Sequence, residues 1–389
     1  MKENEKIQIL ADLVAFDSCN GNERPVAEYL LQLFQNHGIS AKLLPLAGTA
    51  GTTRANLVAE IGSGHPILAF DGHLDTVAFN RERWQTDPLK LTEQAGQLYG
   101  RGTTDMKSGV AAAVIAMLEL HDQHRSFPGI IRFLGSAGEE VGMQGATELQ
   151  QHGYTDDIDA LIVGEPSGYA TSYASKGEVN LQLTATGRAA HSSTPQFGIN
   201  AVQELIKCWQ DLADALQTAT AGIKNHELGR PVFNLDQFNG GKQPNIIPGT
   251  AQAVLNIRTI PEFDNNQAIQ LVTDTIKRNQ SNYQAELQSQ VTMNVIPVVG
   301  QADSPVIKQI LTIAQQYTNQ PVPVAGCPGG TDASRLLLTK SIGFPVAIFG
   351  PGDFRVAHRD NEFCSKQMYL NFTEIYPQLF VQTLQALVD

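Results

Sequence analysis

Positive charge is scarce in this chain of 389 residues: 27 Lys and Arg stand against 39 Asp and Glu, a formal net charge of −12. Proteins that grip nucleic acid carry clustered basic faces, so this balance argues against such a partner. Long apolar runs are also missing. A membrane-spanning helix needs about 18 or more consecutive apolar residues, and none is present. Cysteine is sparse, at four, and Cys19, Cys208, Cys327 and Cys364 form no Cys-x-x-Cys pair. That suits a reduced, cytoplasmic protein better than a zinc-thiolate or disulfide framework. The start, Met1-Lys-Glu-Asn-Glu-Lys, is acidic and leads into an amphipathic stretch with no secretory h-region. No internal repeat, low-complexity tract or phosphate-cradling Gly-x-x-x-x-Gly-Lys appears.

What is present is ordinary globular composition, 42% hydrophobic and 17% charged, in a length that suits two or three domains. Helical spacing over residues 6–37 predicts two helices interrupted at Cys19-Asn-Gly-Asn and closed by Gly38. Strands are expected at 41–44, 56–61, 66–70, 130–136 and 160–163, with a nearly all-apolar helix over 108–121. Strands alternating with helices indicate an α/β domain with a mostly parallel central sheet. The pattern changes near Lys176. Residues 179–185 alternate as a half-exposed strand does, 201–219 and 266–278 read as helices, and 232–238 and 251–257 as strands. Beyond Ile296 the α/β pattern returns, with helices over 304–317 and 367–387 around a strand at 346–349. The economical reading is a discontinuous catalytic domain, 1–177 and 292–389, carrying an inserted α+β domain at 178–291.

The chemistry gathers at strand ends. Pro66-Ile-Leu-Ala-Phe-Asp-Gly-His-Leu-Asp75 is an apolar strand running into alternating polar residues. In extended chain, residues two apart share a face, so His73 and Asp75 form a sensible ligand-and-orienter pair. Asp105, Glu139-Glu140, Glu165 and His358 each follow an apolar strand or a Gly-rich helix start. Ligand sites in open α/β sheets collect beyond the carboxyl ends of the strands, so one cleft would gather them all. Taken singly, each has an ordinary reading: Asp105 as an N-cap, Glu139-Glu140 as a solvated loop, Glu165 as a turn before Pro166, His358 as a surface residue. Together, two imidazoles and several carboxylates without thiolate match a two-metal hydrolase. Zinc fits those ligands, and cobalt or manganese would substitute.

His73-x-Asp75, Gly102-Thr-Thr-Asp105-Met-Lys-Ser-Gly, Glu139-Glu140, Gly164-Glu165-Pro166 and His358 resemble the motifs of the M20 metallopeptidase family, in its succinyl-diaminopimelate desuccinylase and acetylornithine deacetylase branch. The resemblance spans nearly the whole chain. It implies a zinc-peptidase-like catalytic domain and an inserted ferredoxin-like domain acting as lid and dimerisation element. It implies two zinc ions per subunit, bridged by Asp105, with His73 and Glu165 completing one site and Glu140 and His358 the other. Asp75 would orient His73, and Glu139 would be the general base. In the inserted domain, Gly187-Arg-Ala-Ala-His191-Ser-Ser-Thr-Pro resembles the family's lid motif, whose His reaches the partner subunit's site; a hairpin His satisfied by local backbone is the plain alternative. Asn245 and Arg258 would be further substrate or oxyanion contacts, and Lys176 another, with a solvated hinge residue as its plain alternative. Cys327-Pro-Gly-Gly330-Thr331-Asp-Ala-Ser-Arg335 resembles the Gly-Gly-Thr loop, and its backbone and Arg335 would hold a carboxylate. The implied activity is release of an N-acyl group from a small amino acid. A non-hydrolytic relative on the same fold and a two-metal phosphatase are the other classes.

Overall fold

The computed structural model describes residues 1–19, 21–47 and 53–388. They form two compact units: Met1–Ala174 with Val299–Gly326 and Thr331–Asp389, and Ser175–Val298 with Cys327–Gly330.

The first unit is built on a six-stranded sheet ordered Ser40–Pro45, Ala55–Ser63, Gly129–Ser136, Ile67–His73, Ala160–Pro166, Val346–Gly350. The last four strands run parallel to one another, and the first two add an antiparallel edge. This is the mostly parallel α/β arrangement that the alternation of strands and helices implies. The central strand is longer than the apolar run suggests. Its hydrogen bonding continues through Asp71, Gly72 and His73, all buried, because pairing with a strand on each side satisfies the backbone even where side chains turn polar.

Helix Lys107–Asp122 is buried along nearly its whole length, from Lys107 to Leu118. A Cβ on Gly109 would stand 2.4 Å from the carbonyl oxygen of Gly164, so only glycine lets this helix lie so close to the strand that carries Glu165. Phe70, Phe133, Tyr376 and Phe380 form a connected aromatic cluster between the sheet and helix Lys366–Val388. Truncating Phe70 to alanine would cost about 3–5 kcal/mol. Helices Glu3–Ala15 and Arg24–Asn36 match the two expected near the start; Asn20, within the expected break, lies outside the described residues.

The second unit is a four-stranded antiparallel sheet ordered Val232–Gly240, Thr250–Thr259, Gly177–Thr186, Glu286–Val295. Gly177–Thr186 alternates buried and half-exposed residues, as its sequence alternates. Helix Ala201–Ala219 buries Leu205, Cys208, Leu212 and Leu216 and begins where the Asn200 side chain accepts from the Val202 and Gln203 amides. The sequence reading does not include the strand Glu286–Val295, and the expected boundary at 291 falls inside it. Its composition, Glu-Leu-Gln-Ser-Gln-Val-Thr-Met-Asn-Val, is too polar to signal a strand, and its pairing with Gly177–Thr186 supplies what composition does not. Helix Gln144–Gln151 and the small sheet of Thr92–Gln94, Gln97–Tyr99 and Phe363–Ser365 in the first unit were likewise not expected. No described helix is long and apolar enough to cross a membrane, and no disulfide joins the cysteines.

Candidate active site

Parallel strands deliver their ends to one place. His73 closes its strand opposite Ser136, the last residue of the neighbouring strand, and Glu165 lies near the end of the strand on the other side. His73 is 1% exposed. Its Nδ1 lies 3.1 Å from the backbone carbonyl of Asp75 and 3.6 Å from the Asp75 carboxylate. The nearer orienting acceptor is therefore the Asp75 main chain rather than its side chain. Its Nε2 faces Asp105 Oδ1 at 3.0 Å and Glu165 Oε1 at 3.8 Å.

Asp105 sits just before helix Lys107–Asp122, but Met106 takes the N-cap position and makes no side-chain cap. The Asp105 carboxylate instead spans two histidines: Oδ2 lies 3.2 Å from His358 Nε2. That same nitrogen lies 2.9 Å from Glu140 Oε1. His358, half-exposed, is held with φ +62°, a left-handed conformation that is uncommon outside glycine.

Glu139 and Glu140 lie on a single tight turn between Gly138 and Gly142. The Asp75 carboxylate organises it, with Oδ1 accepting from the amides of Gly138 and Glu139 at 3.0 and 3.1 Å and Oδ2 from Glu140 at 3.2 Å. Behind the turn, Arg54 is clamped by Glu23 at 3.0 and 3.1 Å and donates to Gln144 at 2.7 Å.

The electrostatics are those of crowded anions. Burial and the charge of Asp105 raise Glu165 well above the usual carboxylate range, and burial with the charge of Glu165 does the same to Glu139. Burial alone would lower His73, but hydrogen bonding to Asp105 and Asp75 raises it well above an ordinary imidazole. Hydrogen bonds to Asp105 and Glu140 lift His358 to about 10. Desolvation would raise Asp105, yet its contacts with His358 and His73 hold its carboxyl below the normal range.

Two sets of donors lie close enough for a common ion: His73, Glu139 and Glu165, and His73, Asp105 and Glu140, with ligand atoms within 4.8 Å of one another. Imidazole and carboxylate donors without thiolate suit zinc, manganese or cobalt. Both sets draw on His73, and neither includes His358, so the donors present fit a divalent cation at His73.

Of the expected substrate residues in this unit, Thr331 Oγ1 and Arg335 Nε are buried without a hydrogen-bond partner. Between them, Asp332, unmarked by the sequence reading, accepts from Ser136 Oγ at 2.5 Å, and burial lifts its carboxyl to about 7. Its only sequence signal is its place in the Thr-Asp-Ala-Ser helix start. Glu362 and Arg101, also unmarked, lie behind Asp105.

In the second unit, His191 and Asn245 are neighbours: Ala190–His191 pairs with Ile246–Ile247, and the Ser192 amide donates to the Asn245 carbonyl at 3.0 Å. The exposed His191 ring accepts at Nδ1 from the Ser193 amide at 3.2 Å. Arg258 is engaged with Glu178 at 2.7 Å, and Lys176 Nζ donates to the Arg230 carbonyl at 2.7 Å. Gly330 belongs with this unit, while Thr331 belongs with the first.

The family model of peptidase family M20/M25/M40 matches residues 69–382. A probable succinyl-diaminopimelate desuccinylase of Staphylococcus epidermidis is 38% identical, covering 99% of each chain. An acetylornithine deacetylase of Pasteurella multocida is 29% identical, covering 94% of this chain and 92% of its own length. In fold, the chain is similar to an M20 family metallo-carboxypeptidase of Sulfolobus solfataricus, with a TM-score of 0.80 at 18% identity, covering 98% of this chain and all of the other. The chain belongs to peptidase family M20/M25/M40 and is a metal-dependent hydrolase of amide bonds.

Proposed function

We propose that this hydrolase uses two zinc ions to remove an N-acyl group from an amino acid, with N-succinyl-LL-2,6-diaminopimelate as its substrate in cytoplasmic lysine and diaminopimelate synthesis. The observation that carries the chemistry is Asp105, whose two oxygens face two histidines at 3.0 and 3.2 Å. A carboxylate so placed is suited to bridging two cations. His73 and Glu165 would complete one site, and Glu140 and His358 the other, with cobalt or manganese able to substitute. Ions held there supply Lewis acidity that polarises the scissile carbonyl and lowers the pKa of water from about 15.7 towards about 7.

The protein's own groups do the rest. A Glu139 carboxylate oxygen takes the proton of the attacking water and passes it to the leaving amine nitrogen. Its carboxyl is raised by burial and by the charge of Glu165, the direction that strengthens a carboxylate as a proton acceptor. Asp75 fixes the turn from which Glu139 acts. A neutral imidazole that accepts at Nδ1 carries its proton at Nε2, so the Ser193 amide leaves His191 with an exposed donor suited to a developing oxyanion. In the family pattern that donor serves the partner subunit, and a homodimer through the 178–291 segment accompanies this reading. Thr331, Arg335 and the Gly330 backbone are the proposed contacts for substrate carboxylate, with Asn245, Arg258 and Lys176 as further ones. Arg258 would have to share or leave Glu178 to serve.

The succinyl assignment is supported by the 38% identity to the Staphylococcus epidermidis protein over the full chain. The Pasteurella multocida relative supports acetylornithine deacetylase as the second reading. The test is release of free amine by the zinc-loaded chain, with succinyl-diaminopimelate and acetylornithine run side by side. A large kcat/KM preference for the first supports the assignment, and preference for the second moves it to the deacetylase. Activity on neither keeps the metal chemistry and points to other N-acyl amino acids or dipeptides.

A further inference from the structure

Glu362 is fully buried, and no step above uses it. Its Oε1 accepts from the amides of Thr104 and Asp105 at 2.8 and 3.0 Å. Its Oε2 accepts from the Gly102 amide at 3.2 Å and from Arg101 Nη1 at 2.5 Å. Both oxygens are thereby occupied, and three of the four donors are main-chain groups of one short turn. That turn ends at Asp105, whose own amide is among them.

Arg101 alone would balance the charge of Glu362. Arg101 is 2% exposed, and its guanidinium lies 5.3 Å from the Trp84 ring centre, within reach of a cation–π attraction. The convergence of backbone amides is a separate feature: it wraps residues 102–105 around a fixed anion. Further bonds stitch the two segments together. The Gly100 amide donates to the Glu362 carbonyl at 3.1 Å, and Thr104 Oγ1 donates to the Phe363 carbonyl at 2.6 Å. Four residues before Glu362, the same segment carries His358. One buried carboxylate therefore ties the segment bearing His358 to the turn that presents Asp105.

We infer that Glu362 is a positioning residue for the metal centre: it holds the 102–105 turn and so sets how the Asp105 carboxylate meets His73 and His358. This rests on the reading of Asp105 as the bridging carboxylate. Groups that orient metal ligands commonly govern affinity and activity by 10–100-fold.

The test titrates the full chain and its variants with zinc against a chromophoric chelator, scaled to the folded fraction measured by circular dichroism. Asp105→Ala is the control and should lose tight zinc binding. Glu362→Gln sets an amide NH2 against backbone donors, and we expect zinc affinity to fall about 10–100-fold, with kcat at saturating zinc reduced more than KM is changed. Glu362→Asp, which keeps the charge but shortens the reach, should fall between. A purely architectural role would lower the melting temperature and leave zinc affinity per folded molecule untouched. Wild-type affinity and kcat in Glu362→Gln, beside a zinc-deficient Asp105→Ala, overturn the inference and leave the Asp105 reading standing. Undiminished zinc binding by Asp105→Ala overturns that reading and this inference with it. Should Glu362→Gln fail to fold, Arg101→Gln/Glu362→Gln removes both buried charges together. Weakened zinc binding in that variant supports the inference, and unchanged binding overturns it.

Discussion

Asp75 Oδ1 accepts the backbone amide of Glu139 at 3.1 Å. With the Gly138 and Glu140 amides also on this carboxylate, the residue two beyond His73 sets the turn that carries both glutamates. Burial would raise Asp75, but contact with His73 and the Glu140 and Glu139 amides keep it below the usual carboxylate range, so it stays an anion. Asp75→Asn keeps the shape and gives up one acceptor oxygen. We expect zinc affinity and kcat to fall together by about 10–100-fold. Wild-type values for both, from chelator competition and steady-state kinetics, would refute the role.

Glu139→Gln removes a proton carrier and preserves volume. Turnover should drop by about 10²–10⁴-fold with zinc stoichiometry unchanged by elemental analysis. The competing role is real, since Glu139 shares a 4.8 Å cluster with His73 and Glu165. Loss of a zinc equivalent in the variant would make Glu139 a ligand rather than the base.

Gly138 has φ +75°, and a Cβ there would stand 1.8 Å from Arg54 Nη2. Arg54 cannot easily yield, because Glu23 and Gln144 hold it. Gly138→Ala should therefore destabilise the chain by about 1–3 kcal/mol in denaturant unfolding and lower kcat by displacing the turn. An unchanged midpoint would mean that Arg54 moves aside.

In the zinc-free protein, His358 lies at about 10, above its ordinary 6.5. The group's contribution to stability is then complete below about pH 6.5 and is lost as pH climbs through about 10. Asp105 is shifted the other way, so its contribution is present above the ordinary carboxylate range and lost on acidification. If His358 is a ligand, as proposed, a zinc ion must displace its proton to reach the ring. The unfolding free energy of the chelator-treated chain should fall from about pH 6.5 to 10, and zinc uptake near pH 8 should release protons, read by calorimetry in buffers of different ionisation heat. Uptake without proton release would show His358 to be neutral beforehand.

Periodic segments are legible in the sequence alone. Helix Ala201–Ala219 has the bounds its spacing implies, and the Lys107–Asp122 helix and the parallel strands lie within a few residues of their expected limits. His73, Asp105, Glu140, Glu165 and His358 do converge, as motifs at strand ends foretell. What could not be read were residues whose meaning is their partner. Glu362 and the Asp105 amide are 257 positions apart, and Ser136 and Asp332 are 196 apart. Nothing local distinguishes such groups from any other polar side chain. The strand Glu286–Val295 belongs to the same class, since tertiary pairing rather than propensity makes it a strand.

On the proposed two-ion reading, the Asp105 carboxylate between His73 and His358 makes the ligands unequal in how they can fail. Damage at Glu165 or at Glu140 falls on one half and leaves the other its own imidazole. Damage at Asp105 removes a part common to both, so no graded loss is open to it. Intermediate phenotypes, and any drift towards a one-ion enzyme, would have to begin at the outer ligands, with the shared carboxylate the last position to change.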